Sequence, residues 1–93
     1  YIYFFIETLT KIALKNGFKL SDQMIIHLFL GSVLLMVNKK EHPKILRQKV
    51  TSKGGTTDAA IKSLLSSNKF YDILNKAIIK AKKRSKELAS IAT

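Results

Sequence analysis

The sequence predicts an all-α chain: a bundle of about five helices, two of them short. Three observations carry that prediction. Apolar residues recur at helical spacing over long stretches, and no period-two alternation bounded by turns marks a strand. The stretches break at Asn16-Gly17, Glu41-His42-Pro43, Gly54-Gly55 and Ser66-Ser67-Asn68, residue types that stop or start helices. Finally, 46% of the 93 residues are hydrophobic, which excludes a disordered basic tail in spite of a net charge of +11.

The first helix runs from Tyr1 to Asn16. Its charges, Glu7, Lys11 and Lys15, recur every four residues and so form one stripe, with Glu7 ahead of Lys11 in the favourable order. Ile2, Phe5, Ile6, Leu9, Ile12 and Ala13 leave only that narrow face for water. Gly17, free to take positive φ, ends the helix. Ser21 is placed to cap the second helix, and Asp22 suits its positive dipole end.

From Gln23 through Asn38 there is no formal charge, and Met24, Ile25, Leu28, Leu30, Val33, Leu34 and Val37 wrap around the helix. Such a helix is buried on all sides or lies in a membrane. A bilayer needs about 20 apolar residues, and this run is shorter and interrupted by His27, Gly31 and Ser32. The stronger reading buries it against a second subunit. A domain of this size covers only about 60–65% of its unfolded surface by itself. His27 then reads as a packed or interface residue.

Lys39-Lys40 closes the second helix with favourable charge, and Pro43 sits where a first turn tolerates proline. A short helix, Lys44 to Val50, follows. Thr51-Ser52-Lys53-Gly54-Gly55-Thr56-Thr57-Asp58 comes next, with Thr56 or Thr57 expected to cap the helix that contains Ile61, Leu64 and Leu65. In the last helix Phe70, Ile73, Leu74, Ala77, Ile78, Ala81 and Leu88 share a face, and Lys69, Lys76, Lys80 and Lys83 lie away from it.

The Thr51–Asp58 segment admits two readings. Its glycines, its hydroxyls and the unpaired amides of the next helix could cradle a small anion such as a carboxylate. From the residues alone, the stronger reading is an ordinary glycine-containing loop between helices with a threonine cap. It is not a phosphate-binding Walker loop, because the Gly-x-x-x-x-Gly-Lys spacing is missing.

Much chemistry is excluded. The chain has no Cys, hence no disulfide, thiolate metal site or cysteine nucleophile, and His27 and His42 alone make no metal cluster. The carboxylates show no pair placed for acid–base work. The apolar opening Tyr1–Ile6 has no basic segment before it and no cleavage site after it, so it is not a signal peptide. Lacking an initiator Met, the sequence reads as a chain cut inside a larger protein. A rival reading comes from charge: Lys76, Lys80, Lys82, Lys83, Arg84 and Lys86 could grip phosphates of a nucleic acid. Against it, the consecutive cations fan around the helix, and no helix-turn-helix or zinc-finger spacing is present.

Glu41-His42-Pro43, Leu46-Arg47, Val50-Thr51-Ser52-Lys53-Gly54-Gly55-Thr56-Thr57 and Arg84-Ser85-Lys86-Glu87-Leu88 together resemble the C-terminal domain of pyrroline-5-carboxylate reductases. Tyr1 is similar to the tyrosine that closes that family's Ser-Gly-Ser-Gly-Pro-Ala-Tyr stretch. The resemblance extends from Tyr1 to about Ala89. Its most specific part is Thr-Ser-x-Gly-Gly-Thr-Thr at its spacing after His-Pro.

The resemblance implies a helical domain that forms an intertwined homodimer, in some members a decamer, within a cytoplasmic enzyme of proline biosynthesis. It implies reduction of the C=N bond of 1-pyrroline-5-carboxylate with NADPH or NADH, bound by an N-terminal Rossmann domain. Residues 1–93 contain no Gly-x-Gly-x-x-Gly after a strand, so no cofactor site is expected on this chain and the fragment alone is expected to be inactive. By the same resemblance Ser52, Gly54, Gly55, Thr56 and Thr57 bind the substrate, and the Thr57 hydroxyl faces the ring nitrogen as the catalytic group. Metal and membrane play no part in this reading. Lys53 stands where proline is frequent in the family, and Gln48 where an acidic residue is usual.

Overall fold

The computed structural model describes residues 1–92. Five helices follow one another: α1 (Ile2–Lys15), α2 (Asp22–Lys39), α3 (Pro43–Val50), α4 (Thr56–Leu65) and α5 (Lys69–Ala92). No strand occurs among the described residues. The all-α prediction with two short helices holds. The chain divides into two compact units, Tyr1–Gln48 and the residues from Lys49 onward, so the boundary falls inside α3.

In the first unit α1 packs on α2. Glu7 and Lys11 form the expected i,i+4 pair at 3.4 Å, an exposed contact that contributes little. The end of α1 is a Schellman turn. Gly17 takes φ +85, its N–H donates to Leu14 O at 3.1 Å, and Phe18 N–H donates to Ala13 O at 3.0 Å. Ser21 Oγ accepts the Met24 N–H at 3.3 Å, which confirms the cap expected for α2.

Only two described residues of this unit are fully buried. Ile25 of α2 is 2% exposed, and Thr10 of α1 turns its hydroxyl onto Ile6 O at 2.8 Å. The rest of α2 stays open: Leu28, Leu30, Val33, Leu34 and Val37 are all about half exposed or more. No helix of the described chain is long and apolar enough to cross a membrane. One feature of this unit escapes sequence reading. Lys40 ends α2 in the left-handed region, φ 51 and ψ 40, where a glycine would be usual. His42 caps α3 through its ring, Nδ1 accepting Lys44 N–H at 3.1 Å.

In the second unit α4 packs on α5. Asn68 turns the chain with φ 55, and its carbonyl accepts the Asp72 N–H at 2.9 Å to open α5. Phe70, Ile73, Leu74, Ile78 and Leu88 lie exposed along the apolar stripe of α5. Arg84 pairs with Glu87 at 3.2 Å on the same helix.

Candidate functional site

The Thr51–Asp58 segment lies wholly in the second unit and joins α3 to α4. Its chain reversal is a β-turn over Ser52-Lys53-Gly54-Gly55, closed by Gly55 N–H donating to Ser52 O at 2.9 Å. Gly54, third in the turn, has φ +76, the signature of a type II turn that glycine satisfies without strain. Lys53 occupies the second turn position, which proline favours by its fixed φ. Gly55 is held by space instead: a Cβ there would lie 3.1 Å from Ser52 O.

The start of α4 corrects one expectation. Gly55, extended at φ −84 and ψ −179, is the N-cap, while Thr56 and Thr57 are already the first two helical residues. The physical reason is that a cap must hold an extended backbone while its carbonyl accepts the first helical bond. Gly55 O does so, taking Ala59 N–H at 3.1 Å. No side chain of Gly55 can then cover the helix end. The amides of Thr56, Thr57 and Asp58 precede the first intrahelical donor and have no acceptor within the helix.

Asp58 supplies what sequence reasoning missed. Its Oδ2 reaches back across the turn to accept Gly54 N–H at 3.0 Å and meets Lys62 Nζ at 3.0 Å. The Gly54 hydrogen bond, followed by Lys62, holds the Asp58 carboxyl below its ordinary value of 3.8. A glycine-rich loop with an acid three residues past the helix cap was a possible signal for this.

Of the predicted site residues, Ser52, Thr56 and Thr57 are exposed and come together at one helix end. Gly54 and Gly55 belong to the same turn, but both their amides are already engaged, on Asp58 of α4 and on Ser52 of the turn. What remains for an incoming anion is the set of three α4 amides, the dipole of the helix and the hydroxyls beside them. Such a set suits a carboxylate. Elsewhere, His27 donates from Nδ1 to Gln23 O at 2.8 Å within its own helix. The described residues contain no strand-turn-helix of the kind that cradles a dinucleotide pyrophosphate, so they do not fit that cofactor by themselves.

Comparison with known proteins agrees with the motif. Residues 1–88 match the family described as pyrroline-5-carboxylate reductase dimerisation. The chain is 34% identical over 91 residues to pyrroline-5-carboxylate reductase 1 of Bacillus subtilis, covering 96% of this chain and 30% of that protein. It is 32% identical to the pyrroline-5-carboxylate reductase of Pseudomonas aeruginosa and 33% identical to that of Arabidopsis thaliana. Each alignment spans 91 residues, 96% of this chain and 33% of the relative. The chain thus spans about a third of the length of these relatives. No solved structure matches it significantly.

Proposed function

The chain belongs to the pyrroline-5-carboxylate reductase dimerisation family, and on that premise we propose that it is the C-terminal helical part of a longer reductase. The longer protein reduces 1-pyrroline-5-carboxylate to L-proline with NADPH or NADH, in the cytoplasm, as a homodimer or a higher assembly of dimers. A separate N-terminal domain binds the cofactor, and residues 1–93 supply the subunit interface and the substrate turn.

The start of α4 supports this reading: its first three amides have no acceptor within the helix, and Ser52, Thr56 and Thr57 are exposed in the turn and the first turn of that helix. In this reading the substrate carboxylate rests on the α4 amides, held by the Ser52 and Thr56 hydroxyls. The Thr57 hydroxyl faces the ring nitrogen and donates a hydrogen bond to it. A planar cyclic imine fixed at both points presents one face for reduction. Gly54 and Gly55 shape the turn and leave the contact to their neighbours.

The open apolar surface of α2 supports the subunit role, because each buried Leu or Val side chain contributes about 1.5–3 kcal/mol. The test is NAD(P)H oxidation by the full-length protein with 1-pyrroline-5-carboxylate, alongside the isolated 93-residue chain. Turnover by the first and none by the second is expected. Turnover by the isolated chain at the full-length rate would overturn the division of labour, and none by the full-length protein with either cofactor would overturn the activity.

A further inference from the structure

We propose that Asp58 is a positioning residue for the substrate turn, with Lys62 as the cation that lets a carboxylate sit there. The inference rests on the reading of that turn given above and goes beyond it.

The turn has one closing hydrogen bond of its own, Gly55 N–H to Ser52 O. That bond fixes the distance across the turn but not the tilt of the Lys53–Gly54 peptide. The tilt is set by the Gly54 N–H, which points to Asp58 Oδ2 at 3.0 Å. Asp58 is itself rigidly placed: it is the third residue of α4, and its side chain is only 17% exposed. It therefore ties the loop to the helix whose amides receive the anion. Ser52, Thr56 and Thr57 are carried on the two parts that this bond joins.

A carboxylate there has a drawback. It places a negative charge at the helix end that must attract another negative group. Lys62, one turn further along α4, meets the same oxygen at 3.0 Å and offsets that charge. The pair thus keeps the acceptor that the turn needs while limiting repulsion of the substrate.

An acid in the first turn also favours any helix through the dipole, and the two roles separate experimentally. In the full-length protein, Asp58→Ala removes the acceptor, Asp58→Asn keeps one without the charge, and Lys62→Met leaves the charge unopposed. Because the turn holds the substrate, the loss should fall on KM. Asp58→Ala is expected to raise KM for 1-pyrroline-5-carboxylate about tenfold, with kcat within about threefold of wild type. Asp58→Asn should restore KM to within about threefold. Lys62→Met should raise KM alone, and much less so when combined with Asp58→Asn.

An unchanged KM in Asp58→Ala would overturn the proposal, as would an Asp58→Asn variant no better than Asp58→Ala. If Asp58→Ala fails to fold, Asp58→Asn and Lys62→Met decide by the same criteria. Thr57→Ala in the same assay keeps the two readings apart. If it abolishes turnover while Asp58→Ala changes nothing, only the positioning role falls; if neither matters, the assignment of the turn falls as well.

Discussion

Helix α2 carries no formal charge from Gln23 to Asn38, whereas α5 carries Lys76, Lys80, Lys82, Lys83, Arg84 and Lys86 within three turns. Both leave large apolar side chains in the open, but in different patterns. On α2 the exposed Leu30, Val33, Leu34 and Val37 share one face, and Met24, Leu28 and Leu35 are exposed on the other side of the helix. On α5 the exposed Phe70, Ile73, Leu74 and Leu88 form one stripe with lysines opposite. A helix with one apolar stripe needs cover on one side and can give its other side to water. A helix that is apolar all round needs cover everywhere, and α1 hides only Ile25 of it. The first unit is built around an open apolar surface, which the proposed reading covers with another subunit, and the second around a loop fixed by charge.

The largest effect should come from breaking the α2 side. Leu30→Glu with Leu34→Glu places two charges on a surface that the account buries between subunits, and the protein should sediment as a monomer or fail to accumulate. An unchanged oligomeric mass would contradict the assignment. Ile25→Ala removes the one fully buried apolar side chain among the described residues and should cost about 2–5 kcal/mol in chemical denaturation.

Gly31 sharpens the comparison. A Cβ at this position meets nothing within 4 Å inside the chain, so Gly31→Ala should gain up to about 1 kcal/mol by helix propensity. A loss of stability instead would place a second helix against that position.

In the second unit the charge-fixed turn should respond to acid. Asp58 has a folded pKa below its ordinary 3.8, so its stabilisation is present above that value and is lost as the pH falls through the lower folded value. The Gly54 amide, followed by NMR from neutral pH into strong acid, should lose its hydrogen bond in that window. A Gly54 signal that stays unchanged would remove Asp58 from the turn. The smallest effect belongs to the lysine face of α5. Lys76→Gln with Lys80→Gln should leave mass and stability within about 0.5 kcal/mol of wild type, and any larger loss in denaturation would show that the face is not simply solvated.

The helices were legible because their signals are local. Gly17, Ser21 and Pro43 each act through their own backbone or a side chain with a short reach, so spacing alone places them. Lys40 in the left-handed region was not legible, since nothing in its chemistry asks for that conformation. The candidate site was legible in outline: hydroxyls and glycines before a helix mark a cradle. Its wiring was not. Whether Thr56 or Gly55 caps α4 depends on where the turn closes, and the bond from Gly54 to Asp58 exists only once Gly54 has taken positive φ.

The central claim is that the turn from Ser52 to Thr57 receives a cyclic imine, with Thr57 at its nitrogen. The most direct test is the rate of NAD(P)H oxidation by full-length protein with 1-pyrroline-5-carboxylate, comparing wild type with Thr57→Ala. Wild type should turn over readily and the variant should lose about 100-fold in kcat/KM, the scale set by removing one donor aimed at the reacting group. Turnover untouched by the substitution would contradict it.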